Sequence, residues 1–121
     1  MKMKLVKVMK KTDAIPSIVN FSIKDSGLGK WLNGVISLDG KRYKFFIKPT
    51  SDEAYKGLMG TPIIKMDVRP EGFGSRPIIN YDRGWDIRPK DDAAKQILKH
   101  LIDKIGRKMS QYIEFSKEDD F

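Results

Sequence analysis

The sequence has no cysteine. That absence removes a disulfide scaffold, a thiol nucleophile and any thiolate metal site. It fits a reducing compartment, and a cytoplasmic location is expected. Histidine occurs once, at His100. Nucleophilic triads need an imidazole beside the nucleophile. His100 falls on the polar side of a predicted helix with Lys99 and Arg107, and so reads as a surface residue. Zinc sites draw on Cys, His and carboxylate ligands, and the first two are nearly missing. The acidic pairs Asp82/Asp86 and Asp91/Asp92 read as turn and helix-cap residues, not as a Mg²⁺ site. The glycines of 27–29 and 72–74 lack the Lys-Ser/Thr and strand-to-helix setting of a phosphate loop. No apolar run approaches the ~20 residues of a membrane span. The lysine-studded start, MKMKLVKVMKK, lacks the apolar block and cleavage site of a signal peptide. These absences lead to the expectation of a non-enzymatic protein with no metal, no cofactor and no membrane contact.

What is present is charge, unevenly placed. The chain has 121 residues and a net charge of +8. Residues 1–48 carry 11 basic and 3 acidic side chains, whereas residues 49–121 carry 13 of each. A one-sided positive field favours polyanionic partners. Lysines on strands also discourage edge-to-edge pairing, which is the plainer explanation. One domain is expected over residues 1–115, followed by an acidic mobile tail at 116–121.

Hydrophobic patterning predicts strands and then one helix. Met3–Lys10 reads as a first strand. Ser17–Lys24 reads as a second, with Val19, Phe21 and Ile23 on one face. Asp25–Asn33 reads as a loop, with Trp31 and Leu32 folding back onto the core. Gly34–Leu38 and Lys41–Lys48 flank Asp39-Gly40, whose dipeptide favours the positive φ angles of a tight hairpin. Tyr43, Phe45 and Ile47 then share one face, and Arg42, Lys44, Phe46 and Lys48 the other. Ser51–Ala54 could cap a helical turn stopped by Gly57 and Gly60. A fifth strand is expected at Thr61–Arg69, with Ile64, Met66 and Val68 together, and a sixth at Pro77–Tyr81. A helix is expected from Ala93 to Ile113, capped by Asp91 or Asp92, with Gly106 marking a bend, a close contact or a split. The fold class is α+β: a curved antiparallel sheet of five or six strands with one long C-terminal helix on one face.

Three motifs resemble a family of small uncharacterised bacterial domains carried on mobile elements. They are Trp31 to Gly34, the run Gly40-Lys41-Arg42-Tyr43-Lys44-Phe45, and Tyr81-Asp82-Arg83-Gly84-Trp85-Asp86 ahead of the helix. The first has Leu32 and Asn33 between its Trp and Gly, where the family pattern has a single residue. The resemblance spans about residues 31–105 and implies fold boundaries and a phage or mobile-element context. It implies no activity, because the family has none assigned. The terminus Glu118-Asp119-Asp120-Phe121 is similar to the acidic, Phe-ended tails of bacterial and phage single-strand-binding proteins.

Two functional expectations follow. The first is a nucleic-acid-binding protein that prefers single strands. Lys24, Lys30, Arg42, Lys44 and Lys48 would contact phosphates, and Phe46 or Tyr43 would stack on bases. The second is a protein-binding inhibitor or adaptor acting on a host protein through Tyr81, Arg83, Trp85 and Phe121. The same Tyr81–Trp85 segment also reads as a structural corner, with Gly84 at positive φ, Trp85 plugging the core and Arg83 paired to Asp82 or Asp86. The length of the helix suggests that its second half pairs with another copy in a homodimer.

Overall fold

The computed structural model describes residues 15–26 and 29–115. The expected strand at Met3–Lys10 and the tail from residue 116, Phe121 included, lie outside the described residues. Six strands form one antiparallel sheet in sequence order: β1 (Ser17–Ser26), β2 (Gly29–Leu38), β3 (Lys41–Pro49), β4 (Ile63–Pro70), β5 (Ile79–Asp82) and β6 (Trp85–Ile87). Each strand pairs with its chain neighbour, so each new strand was added beside the last without a crossover. Helix α1 (Asp92–Lys104) follows, and 3₁₀ turns at Gly106–Gln111 continue it.

The local chemistry accounts for most of these boundaries. Asp39 and Gly40 take φ of 55° and 81°, the left-handed pair that a two-residue hairpin turn needs. The carboxylate of Asp91 accepts a hydrogen bond from the Ala94 N–H at 2.9 Å and caps α1. Asp52 likewise accepts from the Ala54 N–H at 2.9 Å, but it turns the chain without starting a helix. The connection instead holds a short 3₁₀ turn at Leu58–Gly60, which buries Leu58.

The core lies between one face of the sheet and the helix. Leu32, Ile36, Phe45, Ile47, Met66, Val68 and Ile79 meet Ala94, Ile97, Leu101, Ile102, Ile105 and Met109, and all are essentially inaccessible. Burying each Leu, Ile, Phe or Met side chain contributes about 1.5–3 kcal/mol.

Four expectations change. Asp25–Ser26 and Gly29–Asn33 are strand, not loop: Lys24 faces Trp31 and Asp25 faces Lys30. A bulge between Ile18 and Asn20 shifts the face assignment of β1. Ile18 and Phe21 therefore pack toward the core while Val19 is exposed. A second irregularity, between Lys48 and Pro49 opposite Ile63–Lys65, buries Ile63 with Met66 and leaves Ile64 only partly covered. The helix stops at Lys104. A Cβ on Gly106 would meet Thr61 Cγ2 at 3.1 Å and Ile63 Cδ1 at 3.2 Å, so a larger residue here would crowd Thr61 and Ile63. The 3₁₀ turns then return Met109 and Ile113 to the same core. The helical half expected to project toward a second copy is thus used within the chain.

Candidate functional site

Among the described residues, both helical segments of the C-terminal part pack on one side of the sheet, which leaves the other side open. Alternation along each strand sends every second side chain to that side, and the register lines these residues up in rows across strands. The first row holds Lys24, Trp31, Lys48, Lys65 and Asp82. The second holds Ser22, Asn33, Phe46, Asp67 and Asn80. The third holds Asn20, Val35, Lys44 and Arg69. The fourth pairs Ser37 with Arg42, which meets Glu71 just beyond β4.

Two aromatic rings sit in this field of cations. Phe46 is 37% exposed in the second row. Trp31 is half-buried, with the Lys48 ammonium 4.9 Å from its ring centroid. Lys24 and Lys44 are exposed and form no ion pair among the described residues. The remaining cations are partly balanced. Arg69 forks onto Asp67 with both bonds at 2.8 Å, and Asn80 also donates to Asp67 at 2.9 Å. Lys65 lies 3.9 Å from Asp82. Arg42 donates to both Glu71 oxygens, at 2.7 and 3.2 Å. Those bonds hold the Glu71 carboxyl below the usual range, with a further pull from Lys44, and raise the Arg42 guanidinium.

The residues singled out in the sequence therefore divide. Lys24, Arg42, Lys44, Phe46 and Lys48 come together on the open face. Tyr43 does not: it is 6% exposed on the helix side, where burial first and Asp91 second raise its phenol pKa. It is a core residue and has no surface on which a base could stack. Lys30 also leaves the set. It pairs with Asp25 at 3.0 Å, and alternation along β2 puts it on the side of Leu32, at a cleft with Pro49, Thr50 and Phe115 that Lys48 also borders. Trp31, Lys65 and Arg69 join the face. Trp31 was expected in the core beside Leu32. Adjacent residues of a strand point to opposite sides, however, and Leu32 takes the core position. Lys65 and Arg69 belong to a stretch without net charge, so counting charge by halves of the chain misses them.

The Tyr81–Trp85 segment is a hairpin between β5 and β6. Arg83, not Gly84, takes the positive φ, at 60°. Its N–H donates to the Ile64 carbonyl at 2.8 Å, and its guanidinium pairs with Asp82 at 2.7 Å. Tyr81 and Trp85 pack edge to face, 5.3 Å between centroids, against the margin of the core. Among the described residues of the expected recognition patch, only Arg83 stands clear. Among the described residues no group of three or more His, Asp or Glu side chains could hold a metal ion, and no helix is long and apolar enough to cross a membrane.

Comparison with protein families gives a match over residues 30–106, more than half of the chain, to a domain of unknown function. The chain belongs to the DUF7678 family. The DUF7678 match runs from the start of β2 to the glycine after α1, and agrees to within one residue at each end with the span of the resemblance noted in the sequence. Most of the open face, from Trp31 to Asp82, lies inside the DUF7678 region, while Lys24 on β1 lies outside it. No curated protein and no solved structure matches the chain.

Proposed function

We propose that the open face of the sheet binds nucleic acid and prefers single strands. The observation that supports this most strongly is the row order. The Phe46 ring lies between a row that holds Lys24, Trp31, Lys48 and Lys65 and a row that holds Lys44 and Arg69, so each ring has cations beside it. Phosphates need the cations, and unpaired bases need the rings. A paired duplex hides the faces of its bases, so a ring on an open sheet has little to stack on there. Base–aromatic stacking is worth about 1–3 kcal/mol per base, enough for two rings to set a preference. The resemblance to mobile-element domains supports a phage or mobile-element setting for this activity. The protein-binding alternative has weaker support, because Tyr81 and Trp85 are engaged with the core margin.

The test is a titration of labelled oligothymidine by fluorescence anisotropy at several salt concentrations. Micromolar or tighter binding is expected. Log affinity should fall with log salt by about 0.7 for each phosphate contacted. Lys44→Glu with Lys24→Glu should abolish binding while leaving the thermal transition in place. Absence of binding at low salt, or equal affinity for duplex and single strand, would sink the reading.

A further inference from the structure

Phe73 is fully exposed, at the tip of the loop joining β4 to β5. A turn needs no aromatic ring there, and a phenyl group in water is unfavourable unless something covers it. The glycines on either side, Gly72 and Gly74, both take positive φ, 135° and 74°. Such angles let the chain turn sharply on both sides of the ring. The legs of the loop are nonetheless held firmly. The Glu71 N–H donates to the Arg42 carbonyl at 2.9 Å, and the Ser75 hydroxyl to the Pro70 carbonyl at 2.6 Å. Arg69 donates to the Ser75 carbonyl at 3.2 Å, and the Ile78 N–H to the Val68 carbonyl at 2.7 Å.

The position of this tip is informative. Arg69 lies in the third row of the open face and Arg42 in the fourth, and both are tied to the loop that carries Phe73. Along β3 the rows run from Lys48 through Phe46 and Lys44 to Arg42, six residues or about 20 Å at ~3.3 Å per residue. Stacked nucleotides rise about 3.4 Å each, so this length accommodates roughly six. Rings then occur at three stations: Trp31 at one end, Phe46 near the middle and Phe73 beyond the other end.

Resting on the reading above, we infer that a bound single strand runs along β3 and that Phe73 stacks on an unpaired base at its far end. The surroundings favour a polyanion over other occupants of an exposed ring, since Arg42, Lys44, Arg69 and Arg76 lie on or beside the same loop and rows.

The test compares a thymidine octamer with an abasic octamer of the same phosphate count. Phe73→Ala is expected to weaken the thymidine octamer about tenfold, within the range for one stacked base. It should leave the abasic chain and the salt slope unchanged, and Phe73→Tyr should restore binding. Circular dichroism should give the same thermal midpoint for all three proteins. If the wild type binds and the Lys44→Glu, Lys24→Glu variant does not, but Phe73→Ala matches wild type on both chains, this inference fails and the open-face reading stands. Equal weakening on both chains would mean a structural role and would also overturn it. If the wild type binds neither chain at low salt, both fall. Phe73-dependent sedimentation with anionic vesicles, without octamer binding, would assign the ring to a lipid surface instead.

Discussion

Lys48 and Trp31 are joined across β2 and β3 by a cation–π contact, with the ammonium 4.9 Å from the ring centroid. The pair lies one row from Phe46, so the same ring and the same cation face the route proposed for a nucleic-acid strand. A base arriving on Trp31 would meet a ring that already carries a positive charge against it.

This pair provides a spectroscopic reporter. The chain has two tryptophans, Trp31 and Trp85. In a Trp85→Phe background all tryptophan emission comes from the open face. Oligothymidine is expected to quench it, with the midpoint matching the anisotropy titration. Trp31→Ala should weaken binding about fivefold or more, consistent with one lost stacking partner. Emission that stays constant through saturation would place the bound strand elsewhere.

Glu71 competes with phosphate for Arg42. Its carboxylate takes two hydrogen bonds from the guanidinium. Glu71→Gln removes the charge and frees the fork, so oligonucleotide affinity should rise. The salt slope should steepen by about 0.7, the increment for one more phosphate contact on a single strand. An unchanged slope would take Arg42 out of the contact set.

Gly34 is a structural requirement of the sheet. It sits between Phe21 and Phe45, whose rings approach to 6.3 Å between centroids across it. A Cβ there would collide with the Asn20 carbonyl and come within 2.8 Å of the Phe45 ring. Gly34→Ala should destabilise the fold by about 2–3 kcal/mol through overpacking. Denaturant melts with an unchanged m-value would measure it. Gly84→Ala, where an added Cβ meets open space and φ is not in the left-handed range, is the control and should cost far less.

The single histidine should leave a mark on stability. Burial is the main cause that holds the His100 imidazole below its ordinary pKa, with Lys104 adding to the effect and Asp103 opposing it. The unfolded chain therefore takes up a proton near pH 6.5, before the folded chain does. Stability is at its full value above that pH and is lost as pH falls toward the lower folded pKa. Thermal midpoints should decline on acidification just below pH 6.5, and His100→Gln should flatten that step. The carboxylates of Glu71 and Asp103, held down by their Arg and Lys partners, contribute stability above the usual carboxylate pKa. That contribution is lost only at lower pH, so the two effects separate.

Much of the architecture is legible in the residues. The Asp39-Gly40 turn, the two faces of Lys41–Lys48 and the Asp91 cap all follow from local chemistry. So does the apolar stripe from Ile97 to Ile105. Each depends on residues within a few positions of one another, and the backbone there has few alternatives. An uncharacterised domain over about residues 30–106 was legible as well.

Local chemistry is not enough wherever two distant segments must agree. The bulge at Val19 exchanges which apolar residues of β1 face the core, because β1 must keep step with β2. The helix ends at Lys104, and Gly106 just beyond it lies against Thr61 and Ile63, more than forty positions upstream. Tyr81–Trp85 forms a sixth strand's hairpin because the Arg83 N–H finds the Ile64 carbonyl on β4. The candidate site shows the same division. Alternation assigns Arg42, Lys44, Phe46 and Lys48 to one side of a single strand. The register of three other strands then adds Lys24, Trp31, Lys65 and Arg69 to that side, and packing of the helix on the opposite side takes Tyr43 away. The sequence by itself determined the turn at Asp39-Gly40, the two faces of Lys41–Lys48, the Asp91 cap and the apolar stripe of the helix. Only the tertiary structure decided which faces lie together, because strand register and helix placement depend on contacts between residues far apart in the chain.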